Sequence, residues 1–259
     1  MKINLIKYIS IGFGLCALAL ITLSSIVYLY EIREKIYFKI SSIIEGIKTN
    51  NYNVSAADRY WGKEILNGGY ILHFRHAERD KWIDVQMYDA LESDLHDNGK
   101  DQSRYAENDY FANAVCLNER GKIQAKAMGE HIRNIGLPIS YVASSVSCRA
   151  RQTASLAFDG YDSQHRLLVH SGPYNESYSD RANDLKHFYV TLPVDHDPKA
   201  NVIVSAHNSV VRKEMFENAP SDLSLEEGGF YVISNRDGKL YLEHEFHNFR
   251  LFSRVFYER

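Results

Sequence analysis

Several common bases of function are missing from this chain of 259 residues. There is no surplus of charge: 30 Lys and Arg stand against 33 Asp and Glu, a net charge of −3. No Lys/Arg cluster is interleaved with aromatics, so no nucleic-acid partner is expected. Cysteine is scarce, with only Cys16, Cys116 and Cys148. No Cys-x-x-Cys pair and no His-Glu-x-x-His helix occurs, so neither a metal nor another cofactor is implied. The carboxylates of the acidic run Asp94–Asp101 do not follow EF-hand spacing, which argues against calcium. The Gly-x-Ser-x-Gly elbow is absent, so Ser144, Ser145 and Ser205 do not make a serine hydrolase. There is no internal repeat and no low-complexity tract.

The amino terminus carries what the rest of the chain lacks, a long run without charge, from Ile9 to Tyr30. Its length suits a bilayer, which needs about 20 apolar residues. Lys2 and Lys7 precede it, so the positive-inside rule leaves the short tail in the cytoplasm and puts everything after Glu31 outside. The expectation is an uncleaved anchor over residues 1–30, because the run exceeds a usual signal-peptide core and no Ala-x-Ala-like site follows; a cleaved signal is the other reading. Both take the following domain out of the cytoplasm, to the periplasmic side in a Gram-negative cell. Residues 31–53 mix Ile and Phe with Lys and Glu at helical spacing, a juxtamembrane helix or linker that ends in polar Asn50–Asn53. Residues 54–259 are then one domain, long enough for a single α/β core.

Within it, apolar runs end at Arg75, near Ser145 and at His207. A helix is expected from the N-cap Asn118 to about Asn134, stopped near Gly136, and another from Arg149 to Phe158. A short strand is expected over Arg166–Val169, and a short helix from His207 through about Asn218. A hairpin of Phe230–Ser234 and Lys239–His244 turns on Asp237-Gly238. Strands alternating with helices give an α/β class: a three-layer α/β/α sandwich on a largely parallel sheet, preceded by one transmembrane helix. Residues 80–116, rich in Asp, Glu, Tyr and Asn, are an insertion, either a substrate cap or a solvated loop.

Three of these runs deliver His or Arg at their C-terminal ends: Arg75 and His76, then Arg149, then His207 with Asn208. In α/β proteins that edge binds ligands, and this pattern describes a cationic pocket for a compact anion, most simply a phosphoryl group. His73 alternates with Arg75 inside its strand and is read as core-facing. His244 and His247 have no partner pattern, and Arg151 points elsewhere on its helix than Arg149.

In order and context these segments resemble the histidine phosphatase superfamily, in its phosphoglycerate-mutase-like branch, over roughly residues 69–215. Arg75-His76-Ala77 stands where the family has Arg-His-Gly. Leu117-Asn118-Glu119-Arg120-Gly121 resembles its Leu-Thr-x-x-Gly helix start, and Ser144-Ser145 through Arg149 and Thr153 resembles its Ser-Ser-x-x-x-Arg-Ala-x-x-Thr. His207 matches its second histidine. Ala77 for Gly and Arg79 for Thr or Ser are departures, and the first is expected to alter the turn after His76. Among subfamilies, Arg-His-Ala-Glu-Arg is most similar to the group that includes lipopolysaccharide-core heptose phosphate phosphatases.

The resemblance implies His76 as nucleophile, Arg75 and Arg149 as phosphate-binding guanidinium groups, and His207 as a donor to the transferring group. Glu176 is the first candidate for the general acid, since its loop resembles the family's acidic loop; Glu78 is the second. Arg79 and Asn208 are candidate substrate-binding residues. Both Cys116 and Cys148 adjoin segments that the resemblance brings to the site; a disulfide between them and two free thiols both stay open. The function expected is a membrane-anchored, metal-independent phosphomonoesterase acting on an extracytoplasmic phosphorylated small molecule or glycan. A tethered module that binds phosphoglycans or phosphoproteins without turnover is the alternative. A phosphomutase is disfavoured by export.

Overall fold

A computed structural model describes residues 53–80, 115–169, 177–218 and 222–257. The expected anchor at Ile9–Tyr30, the linker up to Tyr52, residues 81–114 of the insertion, and Glu176 lie outside the described residues. Contacts divide the chain into the units Met1–Asn53 and Val54–Arg259, and the fold below belongs to the second. Among the described residues no helix is long and apolar enough to cross a membrane.

Six strands form one sheet in the order β3-β2-β4-β1-β5-β6, with β1 Ile71–Arg75, β2 Ile139–Ser145, β3 Ser163–His165, β4 Asn201–Ala206, β5 Phe230–Arg236 and β6 Lys239–Phe246. The first four are mutually parallel; β5 runs antiparallel to β1 and pairs with β6 as a hairpin. All of β4 and all of β1 except Arg75 are buried, which is why both read as nearly unbroken apolar runs: a sheet covered on both faces has no polar side to show. Ile71, Val202, Val204, Tyr231 and Ile233 pack with Leu185 and Tyr189 of the helix Tyr178–Val190. On the other face Phe74 stacks on Phe230, which meets Phe252 of the C-terminal helix Phe249–Tyr257. Helices therefore cover both faces of a mostly parallel sheet.

In chain order the helices are α1 Ala56–Glu64, α2 Glu119–Asn134, α3 Cys148–Ala157, α4 Tyr178–Val190 and α5 Phe249–Tyr257. The side chain of Asn118 caps α2 by accepting from Gly121 N at 2.8 Å, as expected. Gly136, at φ +68, lets the chain leave that helix. Helix α1 opens on a reciprocal capping box between Ser55 and Asp58. Asp58 also ties α1 to the sheet, 2.8 Å from Nε2 of His244 on β6.

Two expected elements differ. The strand expected at Arg166–Val169 lies earlier, at Ser163–His165, and Arg166–Leu168 is a 3₁₀ turn. Strand β2 offers partners only through Ser145, opposite His165, so the chain beyond has no ladder to join. The apolar Leu168 serves the core instead, fully buried. The helix expected after His207 is two 3₁₀ turns, Asn208–Val210 and Lys213–Met215. The extended backbone of Val211, at φ −74 and ψ 130, separates them.

Candidate active site

Because β1, β2 and β4 are parallel neighbours, their C-terminal ends open on one edge of the sheet, and each contributes there. Strand β1 ends in Arg75 and His76, β4 runs into His207, and the turn after β2 opens α3, whose second residue is Arg149. The structure brings these four sequence-predicted residues together. The rings of His76 and His207 lie 5.2 Å apart, edge to face.

His76 is fixed from several directions. Its backbone N–H donates to Ala206 O on β4 at 2.9 Å, and Nδ1 lies 2.7 Å from the carbonyl of Ala77. A carbonyl can only accept, so in the neutral ring the proton sits on Nδ1 and Nε2 carries the lone pair. Burial, reinforced by Arg149 and then by Arg75 and Arg79, holds the imidazole pKa well below its ordinary value, against the opposing pull of the Ala77 carbonyl. His76 is thus a neutral imidazole among cations at neutral pH.

Ala77 is buried, its backbone does not adopt positive φ, and its N–H donates to Thr153 Oγ1 at 3.0 Å. The alanine therefore fits where the family has glycine, and the expected alteration of this turn is not needed on steric grounds. Thr153 in turn donates to Arg149 O at 2.8 Å, so this threonine couples the turn after His76 to the first turn of α3. Gly121 has a similar packing reason: a Cβ there would stand 1.9 Å from the carbonyl oxygen of Glu78.

Arg149 is only 1% exposed, and one of its guanidinium nitrogens lies 3.4 Å from Val115 O. Next to it, Cys148 forms a disulfide with Cys116, across 32 residues and a Cα separation of 4.9 Å. The pairing that the sequence leaves open is thus made, one residue before Arg149. Arg75 donates to Leu225 O and pairs with Glu227 at 3.6 Å. Burial lowers its guanidinium pKa while Glu227 opposes the shift; so basic a group stays charged.

His207 is buried, and its Nε2 lies 3.2 Å from Ser145 Oγ and 3.1 Å from Ser147 Oγ. Its carbonyl accepts from Val210 N at 3.2 Å and lies 3.0 Å from His73 Nε2. Asn208 turns its side-chain oxygen to Leu225 N at 2.8 Å and Tyr231 Oη at 3.3 Å, anchoring the loop that carries Leu225 and Glu227. Arg79 donates to Asp80 O at 2.7 Å and adds to the field on His76. Glu78 is engaged by Arg120 and by Asn118 Nδ2, the latter at 3.1 Å. Arg151, left outside the site by its spacing, donates to Val146 O at 2.9 Å. Sequence reasoning missed Glu227, Leu225 and Ser147; no local pattern marks them, because each acts on a partner more than 50 residues away.

Among the described residues no group of three or more His, Cys, Asp or Glu could hold a metal ion. What is assembled is a buried, neutral, singly oriented imidazole beside two guanidinium groups and a second histidine, an arrangement suited to receiving a phosphoryl group.

A sequence model of the histidine phosphatase superfamily (branch 1) matches residues 111–170, the stretch that holds the start of α2 and the Ser144–Thr153 segment. No curated protein matches the chain. Solved structures similar to it include the protein histidine phosphatase SixA complexed with tungstate, at 14% identity and TM-score 0.45 over 68% of this chain and 95% of that one. Another is a phosphoserine phosphatase mutant from Entamoeba histolytica in complex with phosphoserine, at 13% identity and TM-score 0.44 over 68% and 95%. YhfR from Bacillus stearothermophilus gives 15% and 0.44 over 71% and 98%. Likenesses at this level carry no functional argument. The matched segment includes Arg149; the Arg75-His76 pair and His207, which resemble further motifs of the same superfamily in the same order, lie outside it.

Proposed function

We propose that the chain is a metal-independent phosphomonoesterase that works through a phosphohistidine on His76. The observation that carries this reading is the state of His76: Nδ1 is committed to the Ala77 carbonyl, and burial with three nearby arginines keeps Nε2 unprotonated. In the first step the Nε2 lone pair attacks phosphorus and the ester P–O bond breaks. The departing alkoxide takes a proton from a carboxylic acid, for which Glu176 is the first candidate. Glu78 is the weaker one, since its carboxylate is already engaged by Arg120 and Asn118. Water then attacks the phosphoryl group, the N–P bond breaks, orthophosphate leaves, and the water proton returns to the carboxylate. Arg75 and Arg149 bind and neutralise the non-bridging oxygens, and His207 stabilises the charge carried by the transferring group. Arg79 meets a second anionic group of the substrate, and Asn208 fixes the loop beside it.

The enzyme is read as anchored by Ile9–Tyr30, with its catalytic domain outside the cytoplasm and an envelope phosphosugar as substrate class. Supporting the exported reading are the uncharged run behind Lys2 and Lys7 and the buried Cys116–Cys148 disulfide, a bond that persists in oxidising compartments. The tethered binding module has less support, since Ala77, the departure nearest His76, fits its turn without positive φ.

The test is phosphate release from an aryl phosphate by the full chain in detergent, with chelator present and His76→Ala alongside. Chelator-resistant release that falls by roughly 10³-fold or more in the variant is the expected result. A folded wild type that releases no phosphate from aryl phosphates or from a panel of phosphosugars would favour the binding module.

A further inference from the structure

His73 is the buried titratable group that the mechanism does not use. It lies in the middle of β1, fully buried, between Val204 of β4 and Tyr231 of β5. Both its ring nitrogens are committed: Nε2 is 3.0 Å from the carbonyl of His207, and Nδ1 is 2.6 Å from the hydroxyl of Tyr189, itself fully buried on α4. The roles follow from what each partner can do. The carbonyl can only accept, so Nε2 carries the proton; Nδ1 is then an acceptor and Tyr189 donates to it. A flat aromatic contact with Tyr231, 6.0 Å between ring centres, holds the imidazole plane. A core position asks only for volume and apolarity, which Leu or Val would supply; an imidazole with both nitrogens paired costs desolvation and needs another reason.

The reason lies in the residue it touches. The His207 carbonyl belongs to the residue that leaves β4 for the active-site edge, and Val210 N also donates to it, at 3.2 Å. Tyr231, the ring that stacks on His73, reaches Asn208 Oδ1, which also accepts from Leu225 N, while Leu225 O accepts from Arg75. One buried polar network therefore joins Tyr189 and His73 to the backbone carrying His207, and through residue 225 to Arg75.

We infer that His73, held from its other ring nitrogen by Tyr189, is a positioning residue that holds the His207 backbone where its ring can meet the bound phosphoryl group. The inference rests on the phosphatase reading of the same site. Removing the Nε2–H takes a buried hydrogen bond from the His207 carbonyl and lets the residue shift, and displacements near 1 Å cost about 100-fold in well-oriented sites.

The test compares wild type, His73→Leu, His73→Gln and Tyr189→Phe as full chains, with His131→Leu as a control at a buried histidine on α2. Thermal unfolding, aryl-phosphate kinetics and the affinity for orthophosphate are measured. Simple loss of packing lowers the folded fraction and scales kcat but leaves the orthophosphate Kd of folded molecules unchanged; displacement of His207 weakens that affinity as well. The expected result is a roughly 10- to 100-fold loss of kcat/KM in His73→Leu. Orthophosphate should bind at least about fivefold more weakly, with substantial recovery in His73→Gln, whose amide N–H reaches the same carbonyl. His131→Leu should bind like wild type. An unchanged orthophosphate affinity in folded His73→Leu, or no recovery in Gln, overturns the inference. If His73→Leu does not fold, Tyr189→Phe decides, with wild-type affinity counting against. A wild type that binds orthophosphate but hydrolyses nothing defeats the phosphatase reading alone; the binding series still decides the role of His73.

Discussion

At His76 the surroundings set the protonation state that the proposed nucleophilic attack requires. An imidazole in water is half protonated near pH 6.5; here burial and the guanidinium groups of Arg149, Arg75 and Arg79 disfavour the charged form. His76 should therefore remain neutral below pH 6.5, and the acid limb of kcat/KM that the proposed mechanism assigns to it should fall below that value. A protonation midpoint above pH 6.5 for His76, followed by its imidazole NMR signal in the resting enzyme, would contradict this. Stability has the same sign. His73, pushed down to about 4 by burial, stays neutral in the fold while the unfolded chain takes up a proton below pH 6.5. The unfolded state then binds more protons, and stability falls as pH drops from 6.5 toward 4, by about 3 kcal/mol from this residue if the shift is fully expressed. Denaturant melts across that window measure the slope. Arg75, His76, Arg149 and His207 were legible in the sequence because the motif fixes residue type at fixed offsets from strand ends. The jobs of Thr153, Ser147 and His73 were not, because each depends on one atom of a residue distant in sequence.

At the scale of elements, the site is held by short ties between neighbouring segments. Thr153 links α3 to the turn after β1, Gly121 lets α2 start against the Glu78 backbone, and Gln152 accepts from Leu117 N at 2.8 Å. The Cys116–Cys148 bond locks the chain entering α2 to the first residue of α3, one residue before Arg149. Closing a loop over a separation of 32 residues restricts the unfolded chain by about 3–4 kcal/mol. Reduction by a dithiol, or paired Cys116→Ser and Cys148→Ser substitutions, should lower the denaturation midpoint accordingly and reduce turnover by loosening Val115 from Arg149. A midpoint unchanged by reduction would sink this assignment. Strongly patterned elements were readable beforehand: β1, β4, α2, α3 and the β5–β6 hairpin lie close to their expected places. The 3₁₀ turns after His165 and His207 were not, since apolarity alone does not tell a buried strand from a buried turn. Helix α5 was missed because its Phe and Leu residues follow directly on the hairpin without a loop signal.

For the whole molecule, the sheet order explains why distant segments cooperate. Inserting β4 between β2 and β1 brings residues 76, 149 and 207 to one edge although they are spread over more than 130 positions. The α/β class and its mostly parallel sheet could be inferred from alternating strands and helices, whereas the strand order could not, because nothing local encodes which parallel neighbour a strand selects. The proposed anchoring has its own check. The full chain should sediment with membranes and be released by detergent but not by high salt or carbonate, and protease added outside the inner membrane should reach the catalytic domain. A chain recovered in the cytoplasmic fraction with both Cys116 and Cys148 reduced would contradict the exported reading. The central claim is chemical, and the most direct measurement of it is rapid acid-free quenching of the enzyme during turnover, followed by peptide mass analysis. The account predicts a phosphoryl group, labile to acid and stable to base, on His76 in the wild type and on no residue in His76→Ala. A turning-over enzyme with no such adduct, or with one on another side chain, would contradict it.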